Sequence, residues 1–321
     1  MSIIHVVSVS GGKDSAATLL LAIERFGVHR VRGIFCDTGN EHEAVYEYLD
    51  YLQLATGVTI TRLTANFDAE IANKRMFIAR DVRTRRGKDG RRVRWTNKAK
   101  RRALAVLHPT GNPFLDLCMW KGRFPSRKAQ FCTEHLKRNM AVEYQLALVE
   151  AGHTVVSWQG VRRDESLSRR NAKSIERIGP GMFAYRPLVD WSALDVFAYC
   201  ASQQIQPNPL YKQGMTRVGC MPCINVNKGE LMQIARRFIQ HIGRIYTWEQ
   251  IVAACSKHQA ATFIPAPGRG KIIHDQQAYA KDNGIWSVVE WSKTSRGGRQ
   301  FSLLTVLDEP SACSSEYGLC E

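Results

Sequence analysis

No window of 18 residues in this 321-residue chain stays apolar, and the opening residues carry neither a basic stretch before a long apolar core nor a small-residue cleavage site. Membrane spanning and secretion are therefore not expected, and a cytoplasmic location is. The nine cysteines form an odd, irregularly spaced set, which suits free or metal-bound thiols better than a disulfide framework. No internal repeat is evident. Acidic residues are scarce, 29 Asp and Glu against 45 Lys and Arg, which leaves a formal charge of +16. That excess favours an anionic partner such as nucleic acid, although it would also attract a nucleotide or keep the chain soluble. The length allows one substantial core and a second, smaller unit.

The most informative segment is Ser10-Gly11-Gly12-Lys13-Asp14-Ser15. It follows an apolar run at 3–9 and precedes a helix-like stretch from Ala16 to Phe26. Strand, glycine turn and helix N-terminus together let backbone N–H groups converge on a phosphate. Gly11 and Gly12 allow the turn and close approach, Lys13 adds a mobile positive charge, and Ser10 and Ser15 supply short hydroxyl donors. Asp14 faces phosphate usefully only through a cation, so Mg2+ is the economical assignment there. The ATPase pattern G-x-x-x-x-G-K-[ST] is absent, because no glycine stands five residues before Gly12 and Lys13 is followed by an acid. A bland surface turn is the alternative.

Residues 30–36, 58–64 and 154–158 read as further buried strands, with helices at about 41–55 and 133–151 between them. The alternation predicts an α/β fold: an open, mainly parallel twisted sheet with helices on both faces. Ser10, Asp37 and Gly160 would open loops on the carboxyl edge, where ligands sit in such sheets. Asp37 is a candidate for positioning nucleotide or metal, with a turn role as the alternative. Helices are expected at 192–204, 228–242 and 247–258, a loop at 265–270, and short strands within 285–307. The division expected is a nucleotide domain over 1–215, with a basic insertion at about 66–131, and a cysteine-containing region with a tail over 216–321. Residues 80–102 hold twelve Lys or Arg and two Asp, a local net of +10, with Trp95 inside the run. Charge for phosphates and an aromatic surface for a base would thus coincide, unless the segment is merely a solvated arm.

The glycine turn resembles the pyrophosphate loop of the N-type ATP pyrophosphatases, the adenine nucleotide alpha hydrolase-like superfamily that includes phosphosulfate reductases and thiolation enzymes. Gly160-Val161-Arg162-Arg163-Asp164-Glu165-Ser166-Leu167-Ser168-Arg169 resembles that superfamily's G-x-R-x-x-E-S-x-x-R segment. The resemblance implies that Gly160, Arg162 and Arg169 help bind nucleotide and reacting group, with Glu165 holding an arginine or binding metal. A solvated charged helix start is the bland alternative. Tyr185-Arg186-Pro187-Leu188, Asp190-Trp191 and Asn208-Pro209-Leu210-Tyr211 resemble recurring segments of phosphosulfate reductase-like proteins and read physically as turn, cap and aromatic packing. Arg217 is a further candidate for phosphate contact. The resemblance spans about residues 5 to 225.

Cys220-x-x-Cys223 offers two thiolates from a tight turn, and Cys132, opening a helix whose positive end favours thiolate, is the best third candidate. The resemblance implies a [4Fe-4S] cluster on this one-plus-two arrangement. Cluster-type sulfonucleotide reductases carry a Cys-Cys pair where this chain has Phe131-Cys132, so the fourth position falls to Cys118, to Cys313, or to an iron open to sulfide. A Zn2+ site and unliganded buried thiols are the alternatives, and Cys36, Cys200 and Cys255 are expected to be packing residues. The closing Glu316-Tyr317-Gly318-Leu319-Cys320-Glu321 resembles the mobile E-C-G-L-H tail of the reductases, with Tyr317 in place of the acting cysteine and Cys320 displaced by three positions.

These readings favour an enzyme that uses ATP to adenylylate a nucleic-acid or nucleotide substrate, releases pyrophosphate and transfers sulfur. Lys13, Asp14, Arg162, Glu165, Arg169 and Cys320 are its candidate catalytic residues. Phosphorothioation-type DNA enzymes, tRNA thiolation enzymes and the reductase-like proteins of some CRISPR systems are the subfamilies considered. Thiol-dependent reduction of adenylyl sulfate or its 3'-phosphorylated form is the second class, and a noncatalytic nucleotide-regulated nucleic-acid binder the third. A sulfur-donor or electron-donor protein and self-association stay open as partners.

Overall fold

The computed structural model describes residues 2–87, 90, 92–264 and 275–295. Its first half alternates strand and helix: β1 Ile3–Ser8, α1 Lys13–Phe26, β2 Val31–Asp37, α2 Glu43–Thr56 and β3 Ile60–Thr64. The inserted stretch then forms α3 Asp68–Arg80, a short hairpin of β4 Arg85–Arg86 and β5 Arg92–Val93, α4 Asn97–Val106 and α5 Pro113–Lys121. A π-helical turn Thr133–Arg138 leads into α6 Asn139–Glu150, followed by β6 Thr154–Trp158, β7 Ile175–Gly179, β8 Met182–Tyr185 and α7 Ala193–Ser202. The chain closes, among the described residues, with α8 Lys228–Arg237, α9 Ile239–Cys255, α10 Gln276–Asp282 and α11 Ile285–Ser292.

Six strands form one sheet in the order β3-β2-β1-β6-β8-β7, parallel throughout except for the edge strand β7. The expected α/β architecture is what is found. β1 is central and apolar on both faces, with Val6 and Val7 fully buried, as a parallel strand covered on both sides must be. Strand order reverses between β1 and β6, so the crevice at their carboxyl ends is the switch point of the sheet. A single hydrophobic cluster runs from Val7 through α5 and α9 to Val289, tying the insertion and the last helices to the sheet's helical layer.

Three expected elements differ. The helix break foreseen between 242 and 247 falls at Phe238, whose backbone (φ −131, ψ 49) leaves the helix while its ring packs against His42. Gly243 is carried inside α9, because tertiary packing outweighs the roughly 1 kcal/mol a mid-helix glycine costs. Residues 285–292, foreseen among short strands, are helical: Ile285, Val289 and Ser292 are buried at helical spacing, and packing against α8 and α9 overrides their β-branched composition. The loop foreseen at 265–270 lies outside the described residues.

Glu249 joins these helices. It is 2% exposed, and its carboxylate accepts the N–H of Phe263 at 2.7 Å and of Ile285 at 3.0 Å. Burial pushes its pKa up to about 7 despite these two donors. The folded protein therefore holds a proton that the unfolded chain releases above its ordinary carboxylate range, and stability falls as pH rises from about 4.5 to about 7. The expected loss is about 3 kcal/mol. Urea unfolding at several pH values should show this slope in the wild type and not in Glu249→Gln; equal slopes would refute the assignment.

Candidate active site

The glycine turn sits at the switch point. Gly11 adopts φ +77, and a Cβ there would stand 3.0 Å from Val45, so only glycine fits without strain. Gly12 occupies the N-cap position of α1 and has no side chain with which to cap it. Apart from the Lys13 N–H, which Tyr211 Oη accepts, the first-turn N–H groups face a field that favours negative charge. Ser15 Oγ donates to Gly12 O at 2.8 Å and accepts Ser10 N–H at 3.0 Å, which holds the turn shut. Two residues read mainly as packing complete the support: Asn208 Nδ2 donates to Gly11 O at 3.2 Å, and Tyr211 Oη accepts the Lys13 N–H at 3.0 Å. Their signal in the sequence was the Asn-Pro-Leu-Tyr segment, whose polar atoms face the turn only after folding.

Lys13 is not the mobile charge expected. It is 6% exposed, lies near the faces of Phe197 and Tyr211, and its Nζ pairs with Asp14 Oδ2 at 3.0 Å. The other carboxylate oxygen of Asp14 accepts Arg162 Nε at 2.5 Å. Asp14, expected to meet phosphate through Mg2+, therefore has protein cations on both sides. Arg162 is 4% exposed and also pairs through Nη1 with Asp164 at 2.6 Å, so it acts here as a bracket between the turn and the loop after β6 rather than as an open phosphate fork. Close approach of these segments depends on Gly160, where a Cβ would come within 2.8 Å of Asp14 O. Glu165 and Arg169 form a half-exposed ion pair beyond Arg162. Asp37 takes the turn role: its Oδ1 accepts Gly39 N–H and Tyr46 O–H, each at 2.8 Å.

Beside the turn stands the cysteine group. Val218 O lies 3.7 Å from where a Gly12 Cβ would be, and Cys220 follows two residues later. The Cys220 turn docks on the loop after β2. Met221 N–H donates to Asn40 O at 2.7 Å, Asn40 Nδ2 donates to Pro222 O at 3.0 Å, and Cys220 Sγ lies 3.3 Å from Thr38 Oγ1 and 3.6 Å from Glu41 Oε1. Cys220, Glu41, Cys223 and Cys132 all act electrostatically on Lys137, a residue to which the sequence alone gives no role. Five residues separate Cys132 and Lys137, and the intervening π turn, whose bonds close over five residues, returns both to one side.

Attraction to Cys220, and after it to Glu41, holds the Lys137 ammonium above its ordinary range against the cost of burial. Burial pushes the Cys220 thiol up to about 12, against the pull of Lys137. Burial also raises Cys132, outweighing the Thr133 amide, so the thiolate character expected of a helix start is not realised in the protein alone. Cys118 is fully buried behind Cys132, which with burial raises it further. Arg217 lies beside Cys223 and Glu230 instead of at the phosphate turn. Cys200 and Cys255 are buried in the hydrophobic core, whereas Cys36 is only partly buried and donates to Lys137 O at 3.4 Å. Cys313, Cys320 and the tail segment lie outside the described residues.

The basic insertion forms a track. Three surface cavities of about 490, 470 and 510 Å3 follow one another, the first two sharing Lys257 and His258, the last two Lys121 and Arg123. Burial pushes the pKa of Lys74 down, and neighbouring Lys257 and Lys121 push it down further, which reflects the positive charge gathered here. Trp95, foreseen as a stacking surface, is instead 8% exposed in the core with Lys257 near its ring face. Phe77, 41% exposed, lines the second cavity together with the edge of Trp95, and half-buried Trp120 lies under the Lys121 amine at 3.6 Å. The third cavity ends on Phe131 and Thr133, the neighbours of Cys132.

A glycine turn opening a helix at the switch point of a parallel sheet, bracketed by an arginine from the loop after the neighbouring strand, defines an α/β protein built to hold an anion at its carboxyl edge. The chain belongs to the phosphoadenosine phosphosulfate reductase domain family, whose model matches residues 4–226. It is 43% identical to the uncharacterized 37.8 kDa protein in the gpa 5' region of Escherichia phage 186, over 100% of this chain and 97% of that one. It is 38% identical to the adenosine 5'-phosphosulfate reductase of Neisseria meningitidis serogroup A over 79 residues, 24% of this chain and 32% of that enzyme. With the corresponding reductase of Burkholderia cepacia the identity is 36% over 128 residues, 39% of this chain and 46% of that one. The similarity thus spans less than half the length of these reductases. Among solved structures, phosphoadenylyl-sulfate reductase from Candida auris aligns with a TM-score of 0.41 and 16% identity, covering 70% of this chain and 83% of that one. No helix among the described residues is long and apolar enough to cross a membrane.

Proposed function

We propose that the protein binds ATP at the glycine turn, adenylylates a nucleic-acid substrate with release of pyrophosphate, and serves sulfur transfer to the activated atom. The observation that carries this reading is the adjacency of the two sites: Val218 packs on Gly12, and Cys220 follows it in the chain. Activation and sulfur chemistry then share one pocket edge.

The amides of α1 would hold the departing diphosphate, and Lys13, fixed rather than mobile, would offset charge that grows as the α–β phosphate bond breaks. Asp14 orients Lys13 and Arg162 against each other. The substrate oxygen attacks the α-phosphorus, AMP is transferred to it, and sulfur later displaces AMP. A basic track ending beside Cys132 supports a polyanionic substrate.

The donor set fits an iron–sulfur group better than a single zinc ion. Among the described residues the sulfurs of Cys132, Cys220 and Cys223 do not all lie within 4.8 Å of one another, whereas Zn–S bonds of about 2.3 Å would draw them to about 3.8 Å. These three residues would hold the group, which when bound would supply a soft iron able to carry sulfur.

Protein purified anaerobically should form AMP and pyrophosphate from ATP faster with DNA or tRNA than with no polymer. If no nucleic acid stimulates cleavage, the polymer substrate is wrong. The similarity to adenosine 5'-phosphosulfate reductases favours one second reading, sulfonucleotide reduction, with Cys320 as nucleophile. Sulfite release from adenylyl sulfate, lost in Cys320→Ser, would establish it instead.

A further inference from the structure

His42 is the N-cap of α2, Glu43 is its first residue, and His241 reaches them from the first turn of α9. One ligand-type atom from each lies within 4.8 Å of the other two. Glu43 Oε2 stands 3.5 Å from His241 Nε2 and 3.7 Å from His42 Nδ1. Donors on a tetrahedral ion with bonds of about 2.0–2.1 Å are separated by about 3.4 Å, so the spacing needs little closure.

His241 is 2% exposed, and neither of its ring nitrogens has a hydrogen-bond partner. Buried polar atoms are rarely left so, and an imidazole is most simply satisfied by a proton donor, an acceptor or a metal. The two histidine rings stack with centroids 5.0 Å apart, and Phe238 meets His42 edge-on at 4.7 Å, which keeps both imidazoles in place. Glu43, by contrast, is 71% exposed in its side chain and gives a hydrated ion a way in.

We propose that His42, Glu43 and His241 bind one borderline divalent cation of the zinc type, using none of the cysteines. Two imidazoles and one carboxylate suit Zn2+, Co2+ or Fe2+, whereas Ca2+ and Mg2+ prefer oxygen donors. His42 Nδ1 accepts the Ala44 N–H at 3.0 Å. Coordination through Nδ1 takes over that lone pair and turns the amide to water. The ion would clamp α2 to α9 behind the Cys220 turn, where Arg244 Nη2 already donates to Asn40 Oδ1 at 2.9 Å and to Met221 O at 3.0 Å. The inference does not depend on the proposed reaction.

The full chain, stripped with chelator, should be titrated with Co2+. One equivalent should give ligand-field absorption without thiolate-to-metal charge transfer, and Zn2+ should raise Tm. Glu43→Gln changes an exposed side chain, and His42→Asn keeps a good N-cap, so both variants should fold. In each, the non-thiolate band should vanish, the Zn2+-induced rise in Tm should disappear and Co2+ affinity should fall about tenfold or more. Persistence of the band in both variants, or cobalt spectra of thiolate type only, would overturn the site.

Discussion

Asp14→Ala is expected to lower the free energy of unfolding by about 3–5 kcal/mol and to abolish ATP cleavage. The reason is the company Asp14 keeps. Lys13 and Arg162 are each 5% exposed in their side chains, and the carboxylate lies between them at 3.0 and 2.5 Å. Removing one member of a buried ionic group leaves the others uncompensated in a poorly solvated place, which costs more than the intact group is worth. Asp164 remains beside Arg162 but is half exposed, so it offsets only part of the loss. Asp14→Ala combined with Arg162→Met should recover part of the stability, because one unpaired charge is then gone, and none of the turnover. Chemical denaturation with parallel AMP measurements tests both halves. A stability loss under about 1 kcal/mol for the single variant would mean that Asp14 is not the counter-charge of the pair.

Cys220→Ser is the second. Anaerobic loading should give about tenfold less iron, or lower still, while the stability of the metal-free protein changes little. Serine can still donate to Glu41 and face Thr38, as the thiol does at 3.6 and 3.3 Å. What it lacks is the soft, ionisable sulfur that iron needs. Cys132→Ser and Cys223→Ser should behave alike, and Cys36→Ser should load as the wild type. The result for Cys118→Ser decides whether the buried thiol behind Cys132 contributes. Full iron content in all three variants of the one-plus-two set would remove these residues from the metal centre.

The parts of the fold that a reader of the sequence can find are those governed by local pattern. β1, β2, β3 and β6 are runs whose apolar residues have nowhere to go but the interior of a parallel sheet, and the glycine turn is legible because backbone geometry there tolerates almost nothing else. Gly160 was legible as a loop opener, but its steric reason, the Asp14 carbonyl against it, is a long-range contact. Lys13 and Arg162 were read correctly as residues of this edge and incorrectly as open charges, since burial belongs to the packed state. Trp95 looks like a stacking surface because its neighbours are basic, and composition does not record that its side chain is packed into the core cluster. The first part of the stretch expected to include short strands, 285–292, is helical, because contact with α8 and α9 outweighs the weak preference of its β-branched residues.

By itself the sequence determined the α/β alternation, the anion-binding turn, the one-plus-two cysteine pattern and the surplus of positive charge, because each is set by spacing, glycine content or composition within a short stretch. Only the tertiary structure decided what those pieces do to each other. It placed Asp14 between two buried cations, docked the Cys220 turn on the loop after β2, brought Val218 against Gly12, and joined His42 and Glu43 to His241. Each of these depends on residues far apart in the chain meeting where water is excluded, and there the balance of charge and desolvation is fixed by the whole fold.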